Sequence, residues 1–378
     1  MRIPKAIKLG DTIAIAAPSF GATTEPYTFR FQEAIRQFKE RGYNVVIGDC
    51  CYKNDGLGIS TDPKVAAAEL EQFYLDPKID AIFSCGGGEL MCETVSYIDF
   101  KKLKKAPPKW FMGYSDNTNF ILPLVTLCDV ASIYGPNAPG FGKPWEQSEK
   151  DAWNILEGTS DTVFGYPMFQ NPQVESEDPL SPYIYTDEKV LTTFISGNLQ
   201  SPKTSESFEQ VATKSMPFKT QTISNDSSSL VRTTGEQTVT FSGILLGGCL
   251  DCLVGLSGTK LDGVNSFNQK NQKVIWVLES CDYNTMDIRR ALWHLRQNGW
   301  FTNASAFIFG RPFAAFRQSL MGVDEYNAAT GILGDLGVPL VFDADIGHID
   351  PAMPLVIGAN AQVSVKGNDI KIQMGLPR

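Results

Sequence analysis

A serine on a glycine-containing turn is the strongest candidate for chemistry in this sequence. Ser115 follows the apolar run Trp110–Met112 and precedes an apolar helical segment. A strand–turn–helix of this kind raises the hydroxyl above the sheet, beside a helix N-terminus whose free N–H groups can stabilise an oxyanion. Gly113 permits the tight turn, although Asn117 stands where the usual G-x-S-x-G pattern has its second glycine. The alternative is that Ser115 or Asp116 only caps the following helix.

The choice of a histidine partner is narrow, because the sequence contains two histidines, His294 and His348. His348 lies in a polar loop directly after the predicted strand Pro339–Phe342, where it can reach a cleft at the sheet edge. His294 lies in a predicted amphipathic helix and falls on its polar side, at about 100° per residue. We therefore expect His348 to be the histidine that serves chemistry and His294 to be a solvated helix residue.

A carboxylate that could orient the imidazole follows another apolar strand. Glu279 directly follows the strand Val274–Leu278, and parallel strands deliver side chains to the ligand crevice at their carboxyl ends. A carboxylate there could hold a histidine in the correct tautomer and stabilise its protonated form. The alternative is that Glu279 caps the next helix or pairs with Arg289 or Arg290.

Three consecutive glycines, Gly86–Gly88, follow the predicted strand Ile79–Ser84. Such a turn lets the backbone approach a ligand closely, so it could donate an N–H to an oxyanion or hold a phosphate. The pattern is neither G-x-G-x-x-G nor a Walker loop, because no Lys-Ser/Thr follows it. A plain tight turn is the alternative.

Two further groupings point to other chemistry only weakly. Asp343, Asp345 and Asp350 surround His348, but one histidine among aspartates lacks the paired spacing of zinc sites, so we expect no metal. Cys249 and Cys252 form a C-x-x-C, which in a thioredoxin-like site would lower the pKa of a thiol. The rest of the thioredoxin pattern is missing, so a redox role is the less favoured alternative.

The elements that must position these residues indicate an α/β protein. Over the first 135 residues short apolar runs alternate with helical patterns, which predicts a doubly wound, mostly parallel sheet. Residues 166–240 are rich in Ser, Thr, Pro, Gln and Asn with weak periodicity, and we interpret them as a linker and insertion. Regular structure resumes from 241. We therefore expect an α/β nucleophile domain at 1–165 and a smaller β-rich C-terminal domain at 241–378 that carries Glu279 and His348.

Bulk composition excludes some classes of partner. The chain has 378 residues, a formal net charge of −9 and a sequence pI of about 4.9, which disfavours nucleic acid or an anionic membrane as its partner. No apolar stretch is long enough to span a bilayer and no secretory signal is visible, so we expect a cytoplasmic protein. The eight cysteines are then expected to be thiols.

An ordered set of short patches gives these residues a family context. Together they resemble the LD-carboxypeptidase family of serine peptidases, which also contains the microcin C immunity proteins. The patches lie at Ala16–Ser19, Gly86–Gly88, Gly113–Asp116, Tyr134–Pro136, Leu246–Gly248, Gly258–Thr259, Val277–Glu279 with Asp287, Phe309–Arg311, and Gly347–His348 with Pro354–Leu355 and Gly358. Two positions depart from the family pattern, since Cys249 and Asp251 replace the Asn and Ser common after the double glycine.

The resemblance implies a fold and a set of roles. It implies an N-terminal domain like that of class I glutamine amidotransferases, a homodimer, and a catalytic triad of Ser115, Glu279 and His348 without a cofactor. It also implies an oxyanion hole made by the backbone N–H groups of Gly87 and Asp116. A non-catalytic module that binds an anion or peptide at the glycine turn is the alternative from another class.

Two substrate classes follow from the two branches of this family. The carboxypeptidases release a terminal D-residue from a murein tetrapeptide during peptidoglycan recycling, and the immunity proteins cleave aminoacyl-nucleotide amides. The immunity branch is expected to stack adenine on a loop Trp, and no Trp lies between 166 and 240. We therefore favour the murein peptide. The insertion does offer aromatic residues that could replace the Trp: Phe169, Tyr183, Tyr185, Phe194, Phe208 and Phe218.

Overall fold

A computed structural model describes residues 1–174, 176–197, 230–233, 235 and 237–376. Phe208 and Phe218 lie outside the described residues. No helix within these ranges is both long and apolar enough to cross a lipid bilayer.

The strands of the described residues form two large sheets and two short hairpins. In chain order they are β1 (Thr12–Ala16), β2 (Asn44–Ile47), β3 (Ala81–Ser84), β4 (Trp110–Gly113), β5 (Ser132–Tyr134), β6 (Thr162–Phe164), β7 (Met168–Phe169), β8 (Asp187–Glu188), β9 (Thr192–Ser196), β10 (Leu230–Arg232), β11 (Thr238–Cys249), β12 (Val274–Glu279), β13 (Ala304–Gly310), β14 (Ser319–Leu320), β15 (Val323–Asp324), β16 (Leu340–Ala344), β17 (Leu355–Ile357), β18 (Asn360–Lys366) and β19 (Asp369–Met374).

The helices of these residues pack on the sheets and at their ends. They are α1 (Tyr27–Glu40), α2 (Pro63–Leu75), α3 (Met91–Val95), α4 (Phe100–Lys105), α5 (Thr118–Cys128), α6 (Gln147–Leu156), α7 (Leu250–Leu256), α8 (Val264–Lys270), α9 (Thr285–Gln297) and α10 (Asn327–Leu333). Local sequence explains where several begin. The Asp62 carboxylate accepts from the N–H of Lys64, with Pro63 in the first turn, and the Asn284 side chain caps α9 in the same way.

The first large sheet is doubly wound. Its strand order is β17-β5-β4-β3-β1-β2, with β1 to β5 parallel and β17 antiparallel to β5. All residues of β3 and β4 are buried, as expected for parallel strands covered on both faces. The order reverses between β1 and β3, which is where such sheets bind ligands. The predicted doubly wound α/β fold is therefore confirmed.

The second large sheet forms the β-rich C-terminal part. Its order is β10-β9-β16-β13-β12-β11-β18-β19-β6, with a parallel centre from β16 to β11 and antiparallel strands on both sides. β12 is buried along its whole length, so its last residue, Glu279, lies inside the protein.

Each sheet includes a strand that is distant in sequence. β6 pairs with β19 of the second sheet, and β17 pairs with β5 of the first. The sequence predicts one hairpin from 355 to 374. The structure keeps that hairpin for β18 and β19, with the turn at Gly367, but assigns 355–357 to the other sheet. The reason is that β17 supplies the hydrogen-bonding partner that β5 otherwise lacks on its outer edge.

The region 166–240 contains regular structure that its composition does not predict. β9 pairs with β16 and β10 pairs with β9, so part of this region extends the second sheet. The described residues before β9 form the β7–β8 hairpin and irregular chain that reaches the first domain.

Candidate active site

Ser115 lies on a strained turn between β4 and α5. Its φ is +64°, the left-handed conformation found at nucleophile elbows. A Cβ at Gly113 would lie 2.9 Å from Asn117 Cγ, so the turn requires glycine two residues before the serine. The Asn117 side chain fixes the turn by donating to the carbonyls of Gly86 and Tyr114. Ser115 forms no side-chain cap for the following helix, so the capping alternative does not describe its hydroxyl.

His348 connects Ser115 to Glu279. His348 Nε2 lies 2.9 Å from Ser115 Oγ, and Nδ1 lies 2.8 Å from Glu279 Oε2. The serine comes from the first sheet, whereas the other two side chains come from the second sheet and the loop after β16. Gly347 has φ +97°, and a Cβ there would lie 2.5 Å from the carboxylate oxygen of Glu279. Glycine before the histidine is therefore needed for the imidazole and carboxylate to meet.

Burial and charge set the ionisation of this pair. Burial alone would raise the pKa of Glu279, but the charge of His348 and hydrogen bonds from His348 and Tyr134 lower it below its ordinary value. Burial lowers the pKa of His348, but the charge of Glu279 and the hydrogen bonds with Cys281 and Glu279 together outweigh burial and raise this pKa well above the ordinary imidazole value. The carboxylate thus stays ionised and favours a proton on the imidazole.

Tyr134 joins the serine backbone to the carboxylate. Its hydroxyl accepts a hydrogen bond of 3.1 Å from the Ser115 N–H and donates to Glu279 Oε1. Burial raises the pKa of Tyr134 well above its ordinary value, so this hydroxyl keeps its proton. The sequence alone does not single Tyr134 out, because a tyrosine in a short apolar strand is typical of a core. The available signal was its position, at the carboxyl end of a parallel strand before Gly135.

The glycine turn borders the serine. A Cβ at Gly87 would lie 3.1 Å from Ser115 Oγ, so the Gly87 backbone passes directly beside the hydroxyl. Among the described residues neither the N–H of Gly87 nor that of Asp116 has a protein acceptor. The Asp116 carboxylate accepts from Ser19, the Met91 N–H and Asn119. Both predicted oxyanion-hole donors therefore border the serine with their backbone N–H groups available.

The remaining candidates lie outside the hydrogen-bonded chain. His294 lies on α9, partly exposed, and makes no contact with Ser115. Asp345 pairs with Arg311 at 2.6 Å and with Lys189 at 3.7 Å, and Asp343 accepts from Tyr326. No group of three or more His, Cys, Asp or Glu side chains in the part of the chain that the structure describes could hold a metal ion.

The two cysteines of the C-x-x-C lie beneath the site as free thiols. Cys252 Sγ is 3.7 Å from the Ser115 carbonyl oxygen, and the Cys249 thiol contacts Glu279. A hydrogen bond with Cys252, together with burial, raises the pKa of Cys249 well above its ordinary value. Redox-active thiols need a lowered pKa, so this environment is typical of structural cysteines.

A cavity of about 650 Å³ opens above the serine. Its floor is formed by the loops after β1, β3, β4 and β5, and His348 closes one side. Charged residues also line it, among them Arg30, Lys143 and Asp350. The volume suits a ligand the size of a short peptide or a nucleotide conjugate.

A serine at a nucleophile elbow, joined through histidine to a buried carboxylate, is the arrangement found in serine hydrolases. The sequence profile of the LD-carboxypeptidase N-terminal domain matches residues 13–135, and that of the LD-carboxypeptidase C-terminal domain matches residues 242–363. The chain therefore belongs to the LD-carboxypeptidase family, as the resemblance predicted.

Relatives from both branches cover nearly the whole chain. A Vibrio cholerae protein provisionally named a carboxypeptidase is 24% identical over 99% of this chain and 98% of its own length. The microcin C7 self-immunity protein MccF of Escherichia coli is 23% identical over 97% of this chain and 94% of its own. Among solved structures, wild-type MccF has a TM-score of 0.72 at 19% identity, covering 99% and 98% of the two chains. A muramoyltetrapeptide carboxypeptidase from Oxalobacter formigenes has a TM-score of 0.62 at 19% identity, covering 97% and 99%.

Proposed function

We propose that this protein is a serine carboxypeptidase that cleaves an LD-amide bond and releases the terminal D-amino acid of a murein tetrapeptide. The observation that carries the proposal is the continuous hydrogen-bonded chain from Ser115 through His348 to Glu279. Membership in the LD-carboxypeptidase family supports the same reaction class.

The proposed mechanism uses each group at a stated atom. His348 Nε2 takes the proton of Ser115 Oγ, and Oγ attacks the carbonyl carbon of the scissile amide. The N–H groups of Gly87 and Asp116 donate to the oxyanion that forms. The proton on Nε2 passes to the leaving amine as the C–N bond breaks. Water then attacks the acyl-enzyme, gives its proton to His348, and Ser115 recovers a proton as the acid product leaves.

Glu279 supports both steps without reacting itself. Its carboxylate accepts from His348 Nδ1, which fixes the tautomer that leaves Nε2 free to accept the serine proton. Its negative charge then stabilises the imidazolium formed during attack. The hydrogen bond from Tyr134 holds the second carboxylate oxygen and so orients the first toward the imidazole.

Hydrolysis of an aminoacyl-nucleotide amide is the second candidate function. Its support is structural similarity, since MccF in complex with aspartyl sulfamoyl adenosine has a TM-score of 0.71. Of the four insertion aromatics that the structure describes, Tyr183 alone lines the cavity, whereas Phe169 packs on Phe316 and Phe194 on Phe342. Tyr183 is already covered by Lys143, whose Nζ lies 4.6 Å from the ring centroid. These insertion residues therefore offer no free stacking platform for adenine, although the exposed rings of Phe20 and Tyr27 also line the cavity and are the places where an adenine would have to stack.

The decisive experiment compares two substrates and two proteins. Wild-type protein and Ser115→Ala are incubated separately with a murein tetrapeptide and an aminoacyl-sulfamoyl adenosine, and products are followed by mass spectrometry. We expect the wild type to release a D-amino acid from the tetrapeptide and Ser115→Ala to be slower by on the order of 10⁴-fold or more. Cleavage of the adenosine conjugate alone would select the second function. Ligand binding without any cleavage would select the non-catalytic module.

The family resemblance adds a homodimer and a role in peptidoglycan recycling to the proposal, and the sequence adds the expectation of a cytoplasmic location. Analytical ultracentrifugation of the purified protein at micromolar concentration tests the dimer. If the protein sediments as a 41.5 kDa monomer throughout the concentration range, the homodimer is excluded.

A further inference from the structure

Two cations line the cavity next to the proposed triad. Arg30 lies on α1, and Lys143 directly follows the 3-10 turn Ala138–Gly142. The two backbones touch, because a Cβ added at Gly142 would overlap the carbonyl of Arg30. The side chains of residues 30 and 143 therefore enter the cavity from adjoining pieces of backbone.

The insertion holds both cations in place. Arg30 Nε donates to the Pro179 carbonyl at 2.7 Å, and the Lys143 ammonium rests over the ring of Tyr183. Tyr183 is fixed in turn, because its hydroxyl donates to Glu149 at 2.7 Å and its N–H donates to Glu146 at 2.9 Å. The segment that the sequence marks as an insertion thus orients the charged groups of the cavity.

The charged ends of the two side chains remain available for a ligand. Within the described ranges, neither the Arg30 Nη atoms nor Lys143 Nζ donate to a protein acceptor, and neither side chain forms an ion pair. Burial and the neighbouring charge of Arg30 lower the pKa of Lys143, so an anion between them would relieve this repulsion. A guanidinium with both Nη groups free can bind a carboxylate through two parallel hydrogen bonds.

Acidic residues near Arg30 and Lys143 reduce the net positive charge of this part of the cavity, and so limit the charge of the anion that it can bind. The Glu149 carboxylate is occupied by the Tyr183 and Ser148 hydroxyls. Asp350 also lines the cavity, and burial raises its pKa above the ordinary value although the charges of Lys143, His348 and Arg30 oppose this. Glu89, Glu149 and Asp350 line the same cavity, and burial raises the pKa of each. Little positive charge is therefore left in excess, which suits a singly charged carboxylate better than a doubly charged phosphate.

We propose that Arg30 and Lys143 form the subsite that binds the free C-terminal carboxylate of the peptide substrate. The proposal rests on the carboxypeptidase function proposed above and adds the feature that would restrict cleavage to the chain end. A substrate with an amidated C-terminus would lose this contact and keep all others.

The test measures binding without turnover. Isothermal titration calorimetry with Ser115→Ala compares the murein tetrapeptide with its C-terminal carboxamide. We expect the free acid to bind about 10- to 100-fold more tightly, the range typical of a charge-assisted hydrogen-bonded pair. Arg30→Gln and Lys143→Gln, each added to Ser115→Ala, should reduce this preference to less than about threefold. The carboxamide serves as an internal control for misfolding, because a damaged cavity would weaken both ligands.

A matched variant controls for loss of charge alone. Lys39 lies exposed on the same helix as Arg30 and does not line the cavity, so Lys39→Gln should keep the full preference. The proposal is overturned if Ser115→Ala binds the free acid and the carboxamide with equal affinity, or if it binds neither measurably. A preference for the free acid that survives Arg30→Gln overturns it as well. Adenosine monophosphate is the third probe. If Arg30→Gln weakens this phosphate more than it weakens the peptide acid, the carboxylate assignment is wrong.

Cleavage by the wild type separates this proposal from the function on which it rests. A tetrapeptide that binds with the Arg30-dependent preference but is not cleaved would remove the catalytic proposal and leave the carboxylate subsite standing. A tetrapeptide that is cleaved as rapidly after C-terminal amidation would remove the subsite and leave the hydrolase standing.

Discussion

Substitution of Tyr134 by Phe isolates a contact that links two members of the proposed triad. The ring stays in the core, where Tyr134 is 2% exposed, and only the hydroxyl is lost. That hydroxyl makes two hydrogen bonds, one from the Ser115 N–H and one to the Glu279 carboxylate. The change therefore loosens the strained serine backbone and the carboxylate together.

Two contributions set the magnitude. A hydrogen bond to a charged group is worth about 1.5–3 kcal/mol, and a buried N–H left without an acceptor costs about 1–3 kcal/mol. We therefore expect Tyr134→Phe to lower the free energy of unfolding by about 2.5–6 kcal/mol. If about 1.4–2.8 kcal/mol of this stabilisation is lost from the transition state, kcat falls about 10- to 100-fold, because each factor of ten in rate corresponds to about 1.4 kcal/mol. KM should change little, because the hydroxyl is already engaged within the protein.

The pH profile distinguishes a positioning role from general damage. The hydroxyl of Tyr134 stabilises the ionised Glu279, so its removal leaves a more basic carboxylate beside the imidazole. The pKa of His348 then rises further, and because this histidine must be neutral to accept the serine proton, the acid limb of kcat moves to higher pH. The assay is the rate of D-amino acid release from a murein tetrapeptide across pH 5–10, with urea unfolding for stability.

A second tyrosine provides the control. Tyr43 is also buried and donates to a carboxylate, Glu157, at 2.6 Å, outside the cavity lining. Tyr43→Phe should cost less stability, about 1.5–3 kcal/mol for its one hydrogen bond to a charged group, and leave kcat and the pH profile unchanged. The reasoning fails if Tyr134→Phe keeps kcat within twofold of wild type, or if kcat falls while the acid limb stays in place.

Four further predictions follow from the same geometry. His348→Ala should lose about 10³-fold or more in kcat/KM, whereas His294→Ala stays within twofold; equal losses in the two variants would contradict the assignment. In the wild type, kcat/KM should fall with decreasing pH around a midpoint above the ordinary imidazole pKa of about 6.5, because the triad carboxylate raises the pKa of His348; a midpoint below 6 would count against this. The double substitution of Cys249 and Cys252 by Ser should keep turnover within about threefold, with or without reductant, and a redox-dependent rate would reinstate the thiol alternative. Gly347→Ala should lose at least about 100-fold in kcat, since its φ of +97° and the adjacent carboxylate leave no room for a methyl group, and near-normal activity would show that the loop can adapt.

The residues of the candidate site could largely be predicted because their positions follow from strand polarity. Ser115 and Glu279 each come at the carboxyl end of a buried strand, where parallel sheets present side chains to ligands, although the two strands belong to different sheets. Because the chain contains two histidines, the position of His348 in a loop after another strand was enough to favour it over His294. The structure brings these three side chains together, while their catalytic roles stay a prediction.

Other site residues could not be identified because their roles depend on tertiary contacts. Tyr134 has the sequence context of a core residue, and only the approach of the second sheet gives its hydroxyl two partners. Arg30 and Lys143 lie far apart in sequence and in segments that suggest only a helix surface and a loop. β9 was missed because its Thr-rich sequence resembles the polar insertion around it, and its partner β16 lies more than 140 residues later.

The pairing of β17 with β5 also sets the order of events during synthesis. Residues 355–357 and His348 leave the ribosome more than 200 residues after the strand that precedes Ser115. Until then β5 is an open edge strand, and Ser115 lacks its contact with His348 and, through it, with Glu279. We therefore expect a product truncated before His348 to lack hydrolytic activity, because the proposed triad is then incomplete. The same long-range pairing gives the fold a high contact order, so we expect completion of the first sheet to be a late, slow step in folding.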